Sequence, residues 1–291
     1  VRPAGPLASL LLLASRVRAD EKRLLDAFDR RGVRYEHVDS RTAWTPLVRA
    51  PRRRLVLNRE IGHARALYAA RALEAAGHLV VNSAAATDVC GDKWQTSVAI
   101  GAAGLPTPRT ALGLTPEAAL EALETLGYPA VVKPLVGSWG RLVTPLPDRR
   151  TAETVMEYVA ALPSPQSHIV YVQEMVAKPG RDIRAIVVGG EVLGAVHRRG
   201  EQWRTNVARG AATEAFEPSE DVVDLALAAA RAVGADIAGV DLIEDADGRP
   251  LVLEVNHGVE FSGFQRAVGE RVDVADRIAE FLMTRAQTCF E

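Results

Sequence analysis

Cysteine is almost absent from this chain of 291 residues: only Cys90 and Cys289 occur, far apart. Neither has His or Cys neighbours at ligand spacing, which excludes a disulfide framework and a structural zinc site. Charge of one sign is not in excess either. Lys and Arg number 35 against 37 Asp and Glu, a formal net charge of −2, so sequence-independent nucleic-acid binding has no basic field to act through and no nucleic-acid partner is expected. Long apolar runs are missing. The one near the start, residues 7–14, is too short to span a bilayer and could at most form a signal-peptide core. With a single Arg2 before it and an amphipathic helical pattern directly after, the expectation is a cytoplasmic protein with no membrane partner. GxGxxG and GxxxxGK[ST] are both lacking, which argues against a dinucleotide site and a Walker A loop. No Ser/His/Asp or Cys/His constellation, no internal repeat and no low-complexity linker is evident.

The length suits two or three compact units sharing buried surface. Strands over 7–13, 33–38, 54–57 and 79–82 alternate with helices over 20–31 and 63–76, the pattern of an open, doubly wound α/β unit. Arg52, Arg53 and Arg54 read as a solvated basic loop. A helix capped by Thr87 or Asp88 is predicted to reach residue 103, where Gly104-Leu105-Pro106 stops it. Further helices are predicted over 115–126, 151–162, 219–233 and 274–284. Strands are predicted over 128–133 and 169–176, and an antiparallel pair over 180–188 and 192–197 turns at Gly189-Gly190, which sets Asp182 and Arg184 on one face.

Chemistry concentrates at four places. In residues 239–256, GVDLIEDADGRPLVLEVN, Asp247-Gly248 is a two-residue turn signal. Counting outward pairs Asp241 with Glu254, puts Asn256 on the same face, and sends Val240, Leu242, Leu251, Leu253 and Val255 to the other. Opposed carboxylates repel unless a cation lies between them, and hard oxygen ligands suit Mg²⁺; the alternative is a solvated polar face. Lys133 ends an apolar strand beside a glycine-rich loop, a point charge next to unobstructed backbone N–H groups, as a phosphate site needs; a plain β-turn is the alternative. Lys93 lies in the first turns of its helix. Arg198, Arg199, Arg204 and Arg209, with Asn206 among them, crowd one loop, which calls for anions nearby.

The order of these features resembles the ATP-grasp ligases. GDKWQTSVAIGAAGLPTP, VVKPLVGSWGR, QEMVAKPGRDIRAIVVG, TNVARG and LEVNHGVEF resemble more closely the LysX branch of the RimK-like group, over nearly the whole chain. The resemblance implies an ATP-grasp fold, α/β with α+β character in the ligase core. Its expected parts are an N-terminal open α/β domain over 1–87, a central subdomain over 88–176 and a C-terminal subdomain over 177–291. It also implies ATP and Mg²⁺ as cofactors and a small acidic amino-group carrier protein, LysW-like, whose C-terminal glutamate receives an amino acid on its side-chain carboxylate. A homo-oligomer is expected.

Residue by residue, the resemblance assigns Lys93 and Lys133 to the nucleotide phosphates. Gly137, Ser138, Trp139, Gly140 and Arg141 become a mobile loop over them, and Gln173, Glu174, Met175 and Val176 the adenine edge. Asp182 takes the ribose, Asn206 sits near phosphate and metal, and Asp241, Glu254 and Asn256 hold the metal. Arg198 and Arg209, with Lys133, are the catalytic candidates. Substrate contacts are assigned to Arg184, Arg198, Thr205, Arg209, Asn256, His257, Glu260, Phe261 and Ser262.

The implied reaction is ATP-dependent phosphorylation of the carrier carboxylate followed by attack of a free α-amine. Where relatives using 2-aminoadipate carry Thr-Met-Glu-Phe-Lys-Asn, this chain has Gly258-Val259-Glu260-Phe261-Ser262-Gly263, then Phe264. Loss of the Lys-Asn pair favours glutamate over 2-aminoadipate. Alternatives are a RimK-like glutamate ligase acting on another protein or peptide C-terminus and, from a different class, a non-catalytic nucleotide-binding regulatory module.

Overall fold

The computed structural model describes residues 10–47, 50, 52–137, 140–200 and 212–290. The chain opens with β1 (Leu10–Leu13), α1 (Ala19–Arg30), β2 (Tyr35–Val38), β3 (Leu55–Asn58), α2 (His63–Ala75) and β4 (Leu79–Val81). These strands form a parallel sheet in the order β2-β1-β3-β4. β1 and β3 are buried over nearly their whole length, as apolar runs covered on both faces must be.

The predicted helix over 88–103 is two helices. Ser83 Oγ accepts from Ala86 N at 3.1 Å and starts α3 (Ala84–Gly91); Asp92 then accepts from Trp94 N at 2.8 Å and Gln95 N at 3.1 Å and starts α4 (Lys93–Ala102). A side-chain oxygen that satisfies the first free N–H groups is what begins a helix, so Thr87 lies inside α3 and Lys93 becomes the first residue of α4.

A second sheet follows. β5 (Thr110–Gly113), α5 (Pro116–Leu126), β6 (Ala130–Lys133), β7 (Thr144–Leu146), α6 (Arg149–Ala160) and β8 (Val170–Glu174) build an antiparallel layer in the order β5-β8-β6-β7. Its core, around Leu123, Leu146, Met156 and Val172, is its own.

The third sheet comprises β9 (Arg181–Val188), β10 (Glu191–Arg199), β11 (Ala212–Phe216), β12 (Ile237–Glu244) and β13 (Pro250–Asn256), with α7 (Glu220–Ala232) between β11 and β12. The strand order is β11-β10-β9-β12-β13. Gly189 and Gly190, at φ 59° and 85°, make the tight β9–β10 turn that the Gly-Gly pair predicts. α8 (Ser262–Val268) and α9 (Val274–Phe290) close the chain. α8 was not predicted from the sequence: its N-cap position is Phe261, which offers no side-chain cap. α9 runs past the predicted stop at 284 because neither Gly nor Pro interrupts it. Among the described residues, no helix is long and apolar enough to cross a membrane.

The first and third sheets share one core. Leu12, Leu24, Phe28 and Leu57 pack with Ile186, Val196, Phe261, Phe264 and Ile278, while Val240, Leu242, Val252 and Val255 face α7 and α4 on the other side. The N-terminal unit is therefore welded to the last sheet, and the central layer with its separate core stands across a cleft from both. Buried Asn82 pins the weld: Nδ2 donates to Ile237 O at 2.7 Å and His257 O at 2.8 Å, and Oδ1 accepts from Asp236 N at 2.8 Å and Ile237 N at 3.0 Å. Replacing Asn82 with Ala strands several buried backbone groups. The expected loss is about 3 kcal/mol, a fall in Tm of roughly 5 °C by differential scanning calorimetry; a shift under 1 °C would contradict the weld.

Candidate active site in the cleft

The cleft holds about 1120 Å³. Its wall on the third sheet is a row of charges dictated by register. Arg198 on β10 stands opposite Asp182 on β9; Arg184 on β9 stands opposite Asp241 on β12, which stands opposite Glu254 on β13. Arg184 donates twice to Asp241, through Nε and, at 2.8 Å, through Nη2. Arg198 bridges the row, with Nε on Asp182 at 2.5 Å and Nη2 on Asp241 at 3.1 Å. Burial alone would raise the Asp241 carboxyl, but Arg184 and Arg198 hold it below its ordinary value. Burial likewise works against the Arg198 guanidinium, and Asp241 and Asp182 outweigh it, pushing its pKa up. Bidentate pairing of this kind fixes orientation as well as charge.

The Asp241–Glu254 pairing is as the sequence implies, by a route that it does not. A five-residue loop, 245–249, replaces the predicted two-residue turn at Asp247-Gly248, and with Glu244 paired to Pro250 the adjoining register is shifted by one. Asp245 Oδ1 accepts from Asp247 N and Arg249 N, both at 2.9 Å, and holds this loop. A bulge at Leu253 restores the register. Val252 consequently takes the core place expected for its neighbours, and Leu253 turns into the cleft. The inference that the acid pair demands a metal is also weakened, because Arg184, Arg198 and, at 3.7 Å from Glu254, Lys93 Nζ already offset it.

From the central layer, Lys133 Nζ donates to Gln173 Oε1 at 2.6 Å. The Lys133 ammonium can only donate, so it turns the Gln173 amide oxygen toward itself, and Nε2 then donates to Thr110 Oγ1 at 3.0 Å and Tyr171 OH at 2.9 Å. Burial pushes the Lys133 ammonium down to about 8, against the pull of Glu254. Lys93 Nζ donates to Gly137 O at 2.8 Å, which ties the glycine-rich loop to α4. Gly137, Gly140 and Arg141 line the cleft. Gly140 sits at φ 62°, where a side chain would be strained. Ser138, Trp139, Arg204, Thr205, Asn206 and Arg209 lie outside the described residues.

Glu174, Met175 and Val176 border the cleft, yet the Glu174 carboxylate accepts from Arg109 N at 2.8 Å and Nε at 2.7 Å, and Met175 N donates to Pro129 O at 3.1 Å. An adenine edge there would have to use other backbone groups. Asn256, His257, Glu260 and Ser262 also line the cleft. Phe261 does not: it is fully buried in the shared core and cannot touch a substrate, which corrects its assignment. Burial pushes His257 down to about 4, so it is neutral at physiological pH. Cys90 also borders the cleft, but burial raises its thiol to about 12, too high for a nucleophile.

Sequence reasoning missed Lys178, whose Nζ is 3.7 Å from Asp182 Oδ2; its spacing of four residues before an aspartate that ends in the cleft was the available signal. It also gave the N-terminal unit no part in the site, although Arg18, Asp20, Arg59 and His63 line it. Nothing local in the sequence marks these. Among the described residues, the linked charges around Lys133 are five cations (Lys93, Lys133, Lys178, Arg184 and Arg198) and three carboxylates (Asp182, Asp241 and Glu254). That excess attracts a polyanion in a partly enclosed space.

If Lys133 binds phosphate, as the resemblance implies, affinity depends on pH. Its folded pKa of about 8 lies below the ordinary lysine value, so as pH rises through 8 the folded protein loses a proton that the unfolded chain keeps. Stability of the ligand-free protein gains from this group between pH 8 and the ordinary lysine pKa, whereas phosphate binding loses its cation. Calorimetric titration with a non-hydrolysable ATP analogue is expected to show roughly tenfold weaker binding at pH 9 than at pH 7, with Lys133→Met weaker throughout and flat over that interval. An equal slope in both proteins would return Lys133 to a bystander.

Comparison with known proteins agrees with this geometry. Residues 10–89 match the LysX preATP-grasp domain and residues 90–282 the RimK-like ATP-grasp domain. The glutamate–LysW ligase ArgX of Sulfurisphaera tokodaii is 33% identical over 94% of this chain and 97% of its own. The alpha-aminoadipate–LysW ligase LysX of Saccharolobus solfataricus is 35% identical over 73% of this chain and 78% of its own. A RimK domain ATP-grasp protein from Sphaerobacter thermophilus superposes with a TM-score of 0.78 at 27% identity, over 94% of this chain and 99% of that one. With two family models matching nearly the whole chain and a cationic cleft in place, the chain belongs to the RimK-like ATP-grasp family and is an ATP-dependent ligase that forms amide bonds.

Proposed function

We propose that the protein joins the α-amino group of an acidic amino acid, glutamate in preference to 2-aminoadipate, to the side-chain carboxylate of the C-terminal glutamate of a LysW-like carrier. The observation that carries this reading is a cleft with two chemically distinct ends. One end has the cation excess around Lys133 and Lys93. The other is walled by residues 258–266 and the N-terminal unit, with Ser262, Gly263 and Arg266 facing in.

Asp241, Glu254 and Asn256 offer two carboxylates and an amide, a hard-oxygen set suited to magnesium. Glu254 and Asn256 are the more available, since both Asp241 oxygens already accept from guanidinium groups. Among the described residues no cluster of three or more His, Cys, Asp or Glu is present, so the ion would rely on this mixed set and on phosphate oxygens. Bound there, magnesium would screen the β- and γ-phosphates.

The remaining work falls to the chain itself. Lys133, held by Gln173, and Lys93, held by the Gly137 carbonyl, offset charge on the transferring phosphoryl group. A carboxylate oxygen of the carrier attacks the γ-phosphorus, the bond to ADP breaks, and an acyl phosphate forms. The free amine then attacks the acyl carbon, phosphate leaves, and the amine gives up a proton. Gly137, Gly140 and Arg141, which line the cleft, would cover the phosphates and help exclude water that would otherwise hydrolyse the intermediate.

The preference for glutamate rests on the wall at 262–263. A serine and a glycine stand where a lysine and an asparagine would reach inward, and the Ser262 hydroxyl is turned to Asp20. Phe264 fills the space behind, packed where Gly194 leaves room: a Cβ at Gly194 would sit 3.2 Å from the Phe264 ring. The distal carboxylate is then held closer in, which suits the shorter acid. The ArgX relative, named for glutamate, is covered from end to end and is consistent with this.

The test is competition of glutamate and 2-aminoadipate for one carrier, read by mass spectrometry. One methylene is worth about 1–3 kcal/mol, so a preference for glutamate of roughly tenfold or more is expected. A preference for 2-aminoadipate or for a neutral amino acid would overturn the specificity. No mass shift on any carrier ending in glutamate would overturn the carrier itself.

A further inference from the structure

Four consecutive residues after β13, Val259, Glu260, Phe261 and Ser262, are each bonded to a side chain of the N-terminal unit, and Glu260 and Ser262 among them line the far end of the cleft. Val259 O accepts from Arg59 Nη1 at 2.8 Å, and the Glu260 carboxylate accepts from Arg18 Nη1. Phe261 N donates to Asp20 Oδ2 at 3.0 Å, and Ser262 Oγ donates to Asp20 Oδ1. The partners are locked in turn. Glu21 is fully buried and accepts from Arg59 Nε at 2.9 Å, Arg18 Nε at 2.9 Å and Arg18 Nη2 at 3.0 Å. It also accepts from Arg18 N at 3.1 Å, capping α1.

We infer that Asp20, backed by the Arg18–Glu21–Arg59 cluster, is a positioning residue for the amine-donor wall, so that the N-terminal unit sets how tightly the incoming amino acid is held. Three observations carry this. First, Phe261, the N-cap position of α8, offers no side-chain cap, and Asp20, 241 positions away, accepts from the Phe261 N–H and the Ser262 hydroxyl; without it the entry to α8 loses the acceptor that fixes it. Second, Asp20, Glu21 and Arg59 are nearly water-free, at 4%, 0% and 5% exposure. A buried ionic cluster is a poor way to gain stability and a good way to impose one geometry, whereas the adjoining apolar core already holds the units together. Third, Arg18, Asp20 and Arg59 themselves border the cleft beside Ser262, so any slack reaches the wall within one side chain.

The inference rests on the reading that this wall receives the amine donor. Its test therefore has an arm that needs no substrate. Asp20→Asn keeps the side chain's size and turns one acceptor into a donor. In hydrogen exchange followed by mass spectrometry, the peptide spanning 257–264 is expected to exchange at least tenfold faster in the variant, with peptides from α7 unchanged. In turnover assays the KM for glutamate rises tenfold or more, while the KM for ATP stays within twofold. Trapping of the carrier acyl phosphate with hydroxylamine, which bypasses the amine wall, also stays within twofold.

Ser262→Ala removes the other end of the same bond at a half-buried position, and the double variant adds no more than twofold to the effect of Asp20→Asn. Should Asp20→Asn fail to fold, Ser262→Ala carries the same KM expectation. Unchanged exchange at 257–264, or KM values for ATP and glutamate that rise together, would overturn the assignment. A wild-type protein that yields no hydroxamate on the carrier contradicts the carrier reading instead, and the exchange arm alone then decides the role of Asp20.

Discussion

The row Arg198–Asp182, Arg184–Asp241, Glu254–Lys93 is the constraint on which the rest of the molecule depends. Four strands, β10, β9, β12 and β13, have to agree in register and α4 has to deliver Lys93 for these groups to meet, and the charges must be balanced before anything binds. The guanidinium groups of Arg184 and Arg198 and the Lys93 ammonium perform that balancing, and among the described residues of this row and its neighbours cations outnumber anions. Under the proposed function, a polyphosphate would replace weak internal partners with stronger ones: Lys93 would give up a backbone carbonyl and Lys133 a neutral amide.

The division of cores explains what can move. The first and third sheets are one packed body held by Leu12, Phe28, Ile186 and Phe261 and pinned by Asn82. The central layer, with Lys133 and the glycine-rich loop, packs around its own interior. Under the proposed function, closure on a nucleotide would use the second kind of connection, and a fixed amine wall the first. The buried cluster at Glu21 belongs to the rigid side, where orientation matters more than strength.

Much of this was legible because it is local or periodic. Alternation along 182–184 and 239–256 put Asp182, Arg184, Asp241, Glu254 and Asn256 on one surface, and Gly189-Gly190 announced its turn. What could not be read depends on distant partners. A shifted turn and a bulge at Leu253 cancel, leaving the acid pair intact by compensation. The break between α3 and α4 hung on Asp92 acting as a cap, where helical periodicity alone carried the eye through. α8 was invisible because its cap, Asp20, lies in another unit. Phe261 was assigned to substrate by its place in a motif, although a large aromatic between polar neighbours is as easily a core residue. The roles of Arg18, Asp20 and Arg59 arise only when the first sheet docks on the third.

The central claim is that the acid pair on β12 and β13 becomes a magnesium and phosphate site on top of its built-in cation balance. Calorimetric titration of a non-hydrolysable ATP analogue, with and without magnesium, tests it most directly when wild type and Glu254→Gln are compared. The account expects magnesium to strengthen binding to the wild type at least tenfold and binding to Glu254→Gln less than twofold, both proteins remaining folded. Equal affinity with and without magnesium in the wild type, or the full gain retained in Glu254→Gln, would contradict it.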